Sequence, residues 1–468
     1  MYDIVPRQES EEPFALPRVA RRPALAQQLL GFLQMLLAQP GVPVPLSHRG
    51  RGAPPKLLSQ HLCLALLQGV LCQARHLSTI WRLLVLQPVG SFAPVHVTYE
   101  AMRTRLLRSG PALLQDCFQT LSRALGQWMA GQAPPGPVLA PFARAVLALD
   151  ETTLDALRRL TAPLRGLPAG DAHLLPGKLA GLFDVRTQRW VRLQFRADVL
   201  AGCNIGILLL LEGLAPGSLI LADLGYFSFP WFDYLTGQGF WWVSRLKDHV
   251  TTDLVQVLAY DDHTGFCEAL VWLGTYRADR AAQVVRLVSF SWQGQQYRYI
   301  TNVLDAAQLS VSEIVELYAR RWDIELAFKL LKCELGLHLW WGARPELVLS
   351  QLWIALILAQ LLHALQVSLA WQAGVDPFDV SLHVLVELLP VVAGGQASIV
   401  DRLLSEGRFV GLIRPSSRIQ RQVPTGDPQH WPAVPAEPPP PRRARYAQRN
   451  PHPRPGPFVS HFTTQLLI

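Results

Sequence analysis

The sequence predicts an α/β protein: a mixed sheet interrupted by a β-rich insertion, with a helical region before it and another after it. Three observations predict this class. Apolar residues follow a helical period up to about residue 130, and a Pro/Gly-rich GQAPPGP at 131–137 then breaks the pattern. From 136 to 246 short apolar runs at strand spacing alternate with helix-like segments. Strand alternation returns at 247–305, just before a polar-striped helix that begins near Val311.

Residues 1–135 form the expected helical N-terminal domain, with helical periodicity in ALAQQLLGFLQMLLAQ, KLLSQHLCLALLQGVLCQ and YEAMRTRLLRSGPALLQDCFQTLSRALGQWM. The stretch from Lys56 through Trp81 to Leu84 allows a helix-turn-helix, but no glycine marks its turn, and ordinary helix packing is the better expectation. Arg103, Arg105 and Arg108 suit either phosphates or a solvated face. ARAVLALD, KLAGLFDV and RWVRLQF then read as three strands that can form a meander. A helix-like DVLAGCNIGILLLLEG, the strand LILAD, the helix PWFDYLTGQ and the strand FWWVSRL complete residues 136–246. Three strands, helix, strand, helix, strand is the element order of a ribonuclease H-like domain, which should close with a further helix.

That helix is delayed by LVQVLAY, CEALVWLG, QVVRLVSFSW and QYRYITNV, read as an inserted β subdomain over 247–305. The core resumes over 306–375, a helical C-terminal region covers 376–423, and 424–468 is a Pro-rich basic tail expected to be extended or disordered. The span Leu347–Trp371 carries no formal charge and is long enough to cross a bilayer. Ser350, Gln351, Gln360, His363, Gln366 and Ser368 interrupt it, so a buried helix is expected and a membrane protein stands as an outside reading.

Lys plus Arg number 43 against 35 Asp plus Glu, a net charge of +8, which suits an acidic partner such as DNA or RNA. Six cysteines without a C-x-x-C pair or zinc-finger spacing argue for a reducing compartment and against a structural zinc site. The N-terminal MYDIVPRQESEEPF has neither a basic nor an apolar signal region, so a cytoplasmic location is expected.

The chemistry concentrates in YARRWDIELAFKLLK. At 100° per residue Tyr318, Arg321, Glu325 and Lys332 fall within about 60° of one another on a helix, bordered by Leu317, Ile324, Phe328 and Leu331. Asp150 ends AVLALD and Asp223 ends LILAD, matching positions at strand ends where Glu325 can join them. Three converging carboxylates repel one another unless a cation lies between them, and oxygen-only ligation favours Mg²⁺ or Mn²⁺. Taken singly, Asp150 could be a helix N-cap and Asp223 could start a turn at Leu-Gly-Tyr. Alternation from Asp150 points Glu151 away from the site, and Asp261-Asp262 in DDHTG reads as a turn.

The spacing Y-x2-R-x3-E-x6-K, met by Tyr318, Arg321, Glu325 and Lys332, resembles the signature of the insertion-sequence family 4 group of DDE transposases. LALDETTL, LILADLGYFS and YRYITNVLD are similar to that family's two acidic motifs and to the strand before its signature helix, so the resemblance covers about 145–340. Leu224 departs from it, since many relatives carry an arginine there. The resemblance implies cut-and-paste transposition: Asp150, Asp223 and Glu325 hold two metal ions, Tyr318, Arg321 and Lys332 contact DNA, and a dimer assembles on paired transposon ends. It further implies an aromatic residue of the insertion that receives a flipped base, with Trp272, Trp292 and Tyr297 as candidates. A nuclease without strand transfer and an inactive transposase-derived DNA-binding protein are the alternatives.

Overall fold

The computed structural model describes residues 56–72, 74–89, 92–130, 138–154, 178–196, 207–274, 280–337, 340–342, 344–392, 399–416, 423–428 and 464–466. The helix expected over 24–39, most of the helix-like segment before 207 and most of the tail lie outside these residues.

Five strands make the centre of the sheet: β1 (Val146–Thr153), β2 (Lys178–Asp184), β3 (Arg189–Arg196), β4 (Leu219–Ala222) and β5 (Trp241–Arg245). Their spatial order is β3-β2-β1-β4-β5, with β1, β4 and β5 parallel and β2 and β3 antiparallel beside them. This mixed order is compatible with the ribonuclease H-like arrangement expected from the sequence. The insertion folds as a meander of β6 (Thr252–Asp261), β7 (Phe266–Leu273), β8 (Val285–Trp292) and β9 (Gln295–Thr301). It does not stand apart from the core, because β9 pairs antiparallel with β5 and so extends the same sheet. Two short pieces of the tail cap the edges: β10 (Asp427–Pro428) pairs with β6, and β11 (Thr464–Leu466) pairs with β3. Pairing at an edge satisfies backbone groups that would otherwise offer themselves to another chain. Asp261 closes the β6–β7 hairpin by accepting from His263 N and Thr264 Oγ1, as its DDHTG context predicts.

Alternation along the strands separates two faces. Leu147, Leu149, Ile220, Ala222 and Trp242 face a small layer made by α4 (Ile207–Leu211) and α5 (Phe229–Gly237). Val146, Ala148, Leu219, Leu221 and Val243 face the larger core, which holds α6 (Val311–Arg320), α7 (Trp322–Lys329) and α8 (Pro345–Ala373). That core continues without a break into α1 (Ser59–Leu71), α2 (Leu77–Leu86) and α3 (Tyr99–Ala130). In α1 every residue from His61 to Leu71 is buried, which suits packing better than groove reading. Two further helices, α9 (Leu382–Val392) and α10 (Ile399–Glu406), pack beside α8.

By length and composition Glu346–Ala373 could cross a membrane, yet 94% of its most apolar window is buried inside the protein. Its polar side chains find partners there: Gln366 Nε2 donates to the carbonyls of Pro377 and Val380 at 2.9 and 2.8 Å, and Ser350 Oγ to that of Glu346 at 2.7 Å. His363 is pushed down to about 4 by burial and is therefore neutral beside Gln366. Interior packing accounts for the apolar run without a bilayer.

The polar-striped segment is not one regular helix. A Ser310–Glu313 capping box starts α6, its two side chains answering each other's backbone N–H groups. The helix breaks at Arg321 and resumes as α7, and Leu330–Glu334 forms a π-helical turn in which Leu335 N reaches back to Leu330 O at 2.9 Å. The break follows Arg320, whose buried guanidinium is committed to Asp323, Asp376 and the carbonyl of Val185. Gly336, at φ +70°, ends the turn in a conformation that L side chains rarely adopt.

Candidate active site

Strand register brings the two aspartates together. In the parallel pair β1–β4, Val146 lies beside Leu219 and the match runs to Leu149 beside Ala222, so the next residues are Asp150 on β1 and Asp223 just past the end of β4. Adjacent strands lie about 4.8 Å apart. Counting by twos from Val146 and Leu219 puts both carboxylates on the face where α6 and α7 pack. One expectation is corrected here: Asp150 does not end its strand. β1 runs on to Thr153 because β2 keeps pairing with it, Asp150 opposite Gly181 and Thr153 opposite Lys178, whereas β4 stops at Ala222. Asp150 thus lies where β1 loses its neighbour on one side, which opens an edge to solvent and ligand. The helix N-cap reading of Asp150 fails for the same reason. The turn reading of Asp223 holds alongside the site reading, since Asp223 Oδ1 accepts from Gly225 N at 2.8 Å and caps the 3-10 turn Leu224–Tyr226. A Cβ at Gly225 would come within 2.9 Å of that same oxygen, so a larger residue there would displace the Asp223 carboxylate.

Glu325 approaches from α7. Burial pushes the Asp150 carboxyl up to about 7; the backbone N–H of Glu151 works against this, and the charges of Glu325 and Asp223 add to it. Each carboxylate currently has another partner. Glu325 Oε1 accepts from Arg321 Nη1 at 2.6 Å, one helical turn away, and Asp150 and Asp223 take backbone amides. Among the described residues no group of three His, Cys, Asp or Glu side chains is drawn close enough to hold a metal ion. The donor set nevertheless fits a hard divalent cation: three carboxylates from three elements, all oxygen, with the half-buried Asp150 carboxyl pushed up by desolvation and by the other two.

The other signature residues surround these acids. Lys332, in the π turn, donates from Nζ to Thr152 Oγ1 at 2.7 Å, two residues along β1 from Asp150 and on the same face. Arg321 is buried; burial opposes its charge, but Tyr318, Glu325 and Asp150 together hold its pKa above the usual value. Its Cζ lies 5.6 Å from the Tyr318 ring and 5.2 Å from that of Trp322, which is 45% exposed. Burial raises the Tyr318 hydroxyl, opposed by Arg321 and Arg245 and reinforced by Asp223. All six predicted residues therefore belong to one neighbourhood. Glu151 does not join them: on the opposite face of β1 it pairs with Lys178 Nζ at 2.9 Å and with Arg196 Nη2.

Sequence reasoning missed Arg245 and Lys247. They follow from the topology, because β5 is the third parallel strand and its C-terminal end opens at the same edge as those of β1 and β4. Arg245 lies 6.0 Å over the Tyr297 ring, and Lys247 Nζ lies 5.3 Å over that of Phe227. Ring contacts join Phe290 to Tyr297 at 5.5 Å, Tyr297 to Tyr299 at 6.4 Å and Tyr299 to Tyr318 at 5.4 Å. Of the three aromatic candidates on the insertion, Tyr297 is the one this row connects to the signature helix.

Residues 144–362 match the family described as the transposase DDE domain, a range that encloses all six predicted residues. The transposase InsG of insertion sequence element IS4, from Escherichia coli strain K12, is 24% identical over 236 residues, covering 46% of this chain and 51% of that protein. The match thus spans about half the length of that relative.

Proposed function

We propose that the chain is a DDE transposase of the insertion-sequence family 4 group, which cleaves DNA at transposon ends and transfers the freed strand into a target; the match of residues 144–362 to the transposase DDE domain and the likeness to InsG support this reading. The observation that carries the reading is the placement of Asp150 and Asp223 immediately after the paired Leu149 and Ala222, with Glu325 close enough to raise the Asp150 pKa. On this reading Asp150, Asp223 and Glu325 hold two Mg²⁺ or Mn²⁺ ions. Such ions supply activation of a water or 3′-hydroxyl and stabilisation of the leaving oxygen in phosphodiester transfer.

The remaining side chains position the DNA. Lys332 and Arg321 take phosphate oxygens beside the carboxylates, and Arg245 and Lys247 extend the basic edge along the strand ends. Tyr318 orients a phosphate or sugar through its hydroxyl, and Tyr297 offers a ring on which a displaced base can stack. Helices within residues 1–135 bind the element ends, and two copies act on a paired-end complex, with the terminal inverted repeats and the target DNA as the partners. The chain works in the cytoplasm on nucleoid DNA.

A paired-end cleavage assay with Mg²⁺ tests this. The expected products are end cleavage, a hairpin and an integration product. Hydrolysis of both strands with neither hairpin nor integration identifies a nuclease instead. Wild-type cleavage by Asp150→Ala, Asp223→Ala or Glu325→Ala would remove that residue from the site, and end binding without any cleavage by the native chain would mark a DNA-binding derivative.

A further inference from the structure

Cys63 on α1 and Cys117 on α3 are 54 residues apart in sequence, and their sulfurs lie 3.8 Å apart. We propose that these two thiols form a reversible disulfide that ties α1 to α3, a redox-controlled link within the helical layer. The inference stands on this geometry and is independent of the phosphodiester chemistry proposed above.

A disulfide has an S–S distance of about 2.05 Å, so the two sulfurs must approach by about 1.8 Å in total, a change that rotation about the two Cα–Cβ bonds can share. The contact is already a thiol–thiol hydrogen bond in which either sulfur can donate. Cys63 is 6% exposed, whereas Cys117 is half-buried and more accessible to a small reagent. The hydrogen bond from Cys63 lowers the pKa of Cys117 against the opposing effect of burial, while Cys63 is pushed up. Cys117 is therefore the attacking sulfur and Cys63 the resolving one. No disulfide is formed among the described cysteines Cys63, Cys72, Cys117, Cys267 and Cys333.

The oxidant is a small-molecule disulfide of the glutathione class. The Cys117 thiolate attacks one of its sulfurs, forming a mixed disulfide and releasing one glutathione thiolate. Cys63 then loses its proton and attacks Cys117 Sγ, forming the intramolecular bond and releasing the second glutathione. Two protein thiols are oxidised, one glutathione disulfide is reduced to two glutathiones, and the two thiol protons end on those products.

The full-length chain, reduced, desalted and then incubated with oxidised glutathione, is to be digested without reductant and analysed by mass spectrometry. A linked Cys63–Cys117 peptide that dithiothreitol abolishes is the expected result, together with a loss of two titratable thiols and a rise of several degrees in Tm. Cys333→Ser should keep the link, and Cys63→Ser should stop at a glutathione adduct on Cys117. Full alkylation of both Cys63 and Cys117 after oxidation overturns the proposal. So does a wild-type protein that stops at the Cys117 adduct, or one that links Cys117 to another cysteine. These readouts come from the native sequence, so they do not depend on a variant that folds.

Discussion

Replacing Asp150 with Asn should have an effect on stability that grows as pH rises. In the metal-free protein burial and two neighbouring carboxylates push the Asp150 carboxyl from 3.8 to about 7, whereas the unfolded chain keeps an ordinary value. A shift of about three units corresponds to ~4 kcal/mol of differential interaction between the protonated and ionised forms. Because the folded value is raised, the stabilising protonated state is fully available below the unfolded pKa. Its benefit shrinks as pH climbs from 3.8 to about 7 and is gone above that. The window from pH 5 to pH 8 contains about two of those units, or ~3 kcal/mol. Asparagine keeps the shape and the acceptor for the Glu151 amide but carries no charge, so the variant lacks this dependence.

Guanidinium unfolding of chelator-treated protein, followed by tryptophan fluorescence at pH 5 and pH 8, measures the difference. Relative to wild type, Asp150→Asn should be more stable at pH 8 than at pH 5 by ~3 kcal/mol, while losing cleavage at both. Adding Mg²⁺ at pH 8 should stabilise the wild type and narrow the gap, because a cation among the carboxylates supplies the charge that burial withholds. A wild-type-to-variant difference that stays constant within about 0.5 kcal/mol between the two pH values refutes the reasoning. It would mean that Asp150 is solvated, and that its neighbours are too far away to share an ion with it.

Lys332→Met should reduce cleavage of end DNA by about 10- to 100-fold, the value of one charge-assisted hydrogen bond of ~1.5–3 kcal/mol, with an unchanged circular dichroism spectrum. An effect under twofold would dismiss Lys332 as a phosphate contact. Arg320→Met removes the cation shared by Asp323 and Asp376 and should destabilise the protein by about 3–5 kcal/mol in denaturant titration, since it leaves buried Asp323 unpaired. Glu151→Gln should leave the cleavage rate of folded protein at the wild-type level, and a loss matching that of Asp150→Ala would make Glu151 a metal ligand after all.

Much of the sheet was legible because strands with one shared period and clear turn residues announce themselves locally. β2, β3, β5, β8 and β9 lie where alternation and composition place them. Three features were not legible. The polar run after Asp150 reads as the end of a strand because the apolar pattern stops there. In the structure Glu151, Thr152 and Thr153 continue β1, and they are polar because that stretch faces Lys332 on one side and Lys178 and Arg196 on the other. The joining of the insertion to the core depends on which edge β9 finds, a non-local choice that no window around residue 300 contains. The break in the signature helix belongs to the same class. Arg320 looks like any surface arginine until Asp376 and the Val185 carbonyl, both distant in sequence, meet it in the interior.

The signature spacing acquires a physical meaning from the Arg321–Glu325 pair. An arginine four residues before a glutamate places the two side chains one turn apart, within reach of each other, and here they form a 2.6 Å ion pair. The same guanidinium draws on the charge of Asp150, so Arg321 serves as the local counter-charge for a site that otherwise contains three acids. Under the proposed function this counter-charge competes with divalent ions for Glu325. A cation among the carboxylates would leave Arg321 with surplus positive charge beside Tyr318 and Lys332, where a scissile phosphate must lie. Metal loading and phosphate binding would then be coupled through one side chain, a reason for the signature to contain arginine at that position: lysine lacks the rigid fork that can span a carboxylate and a phosphate together.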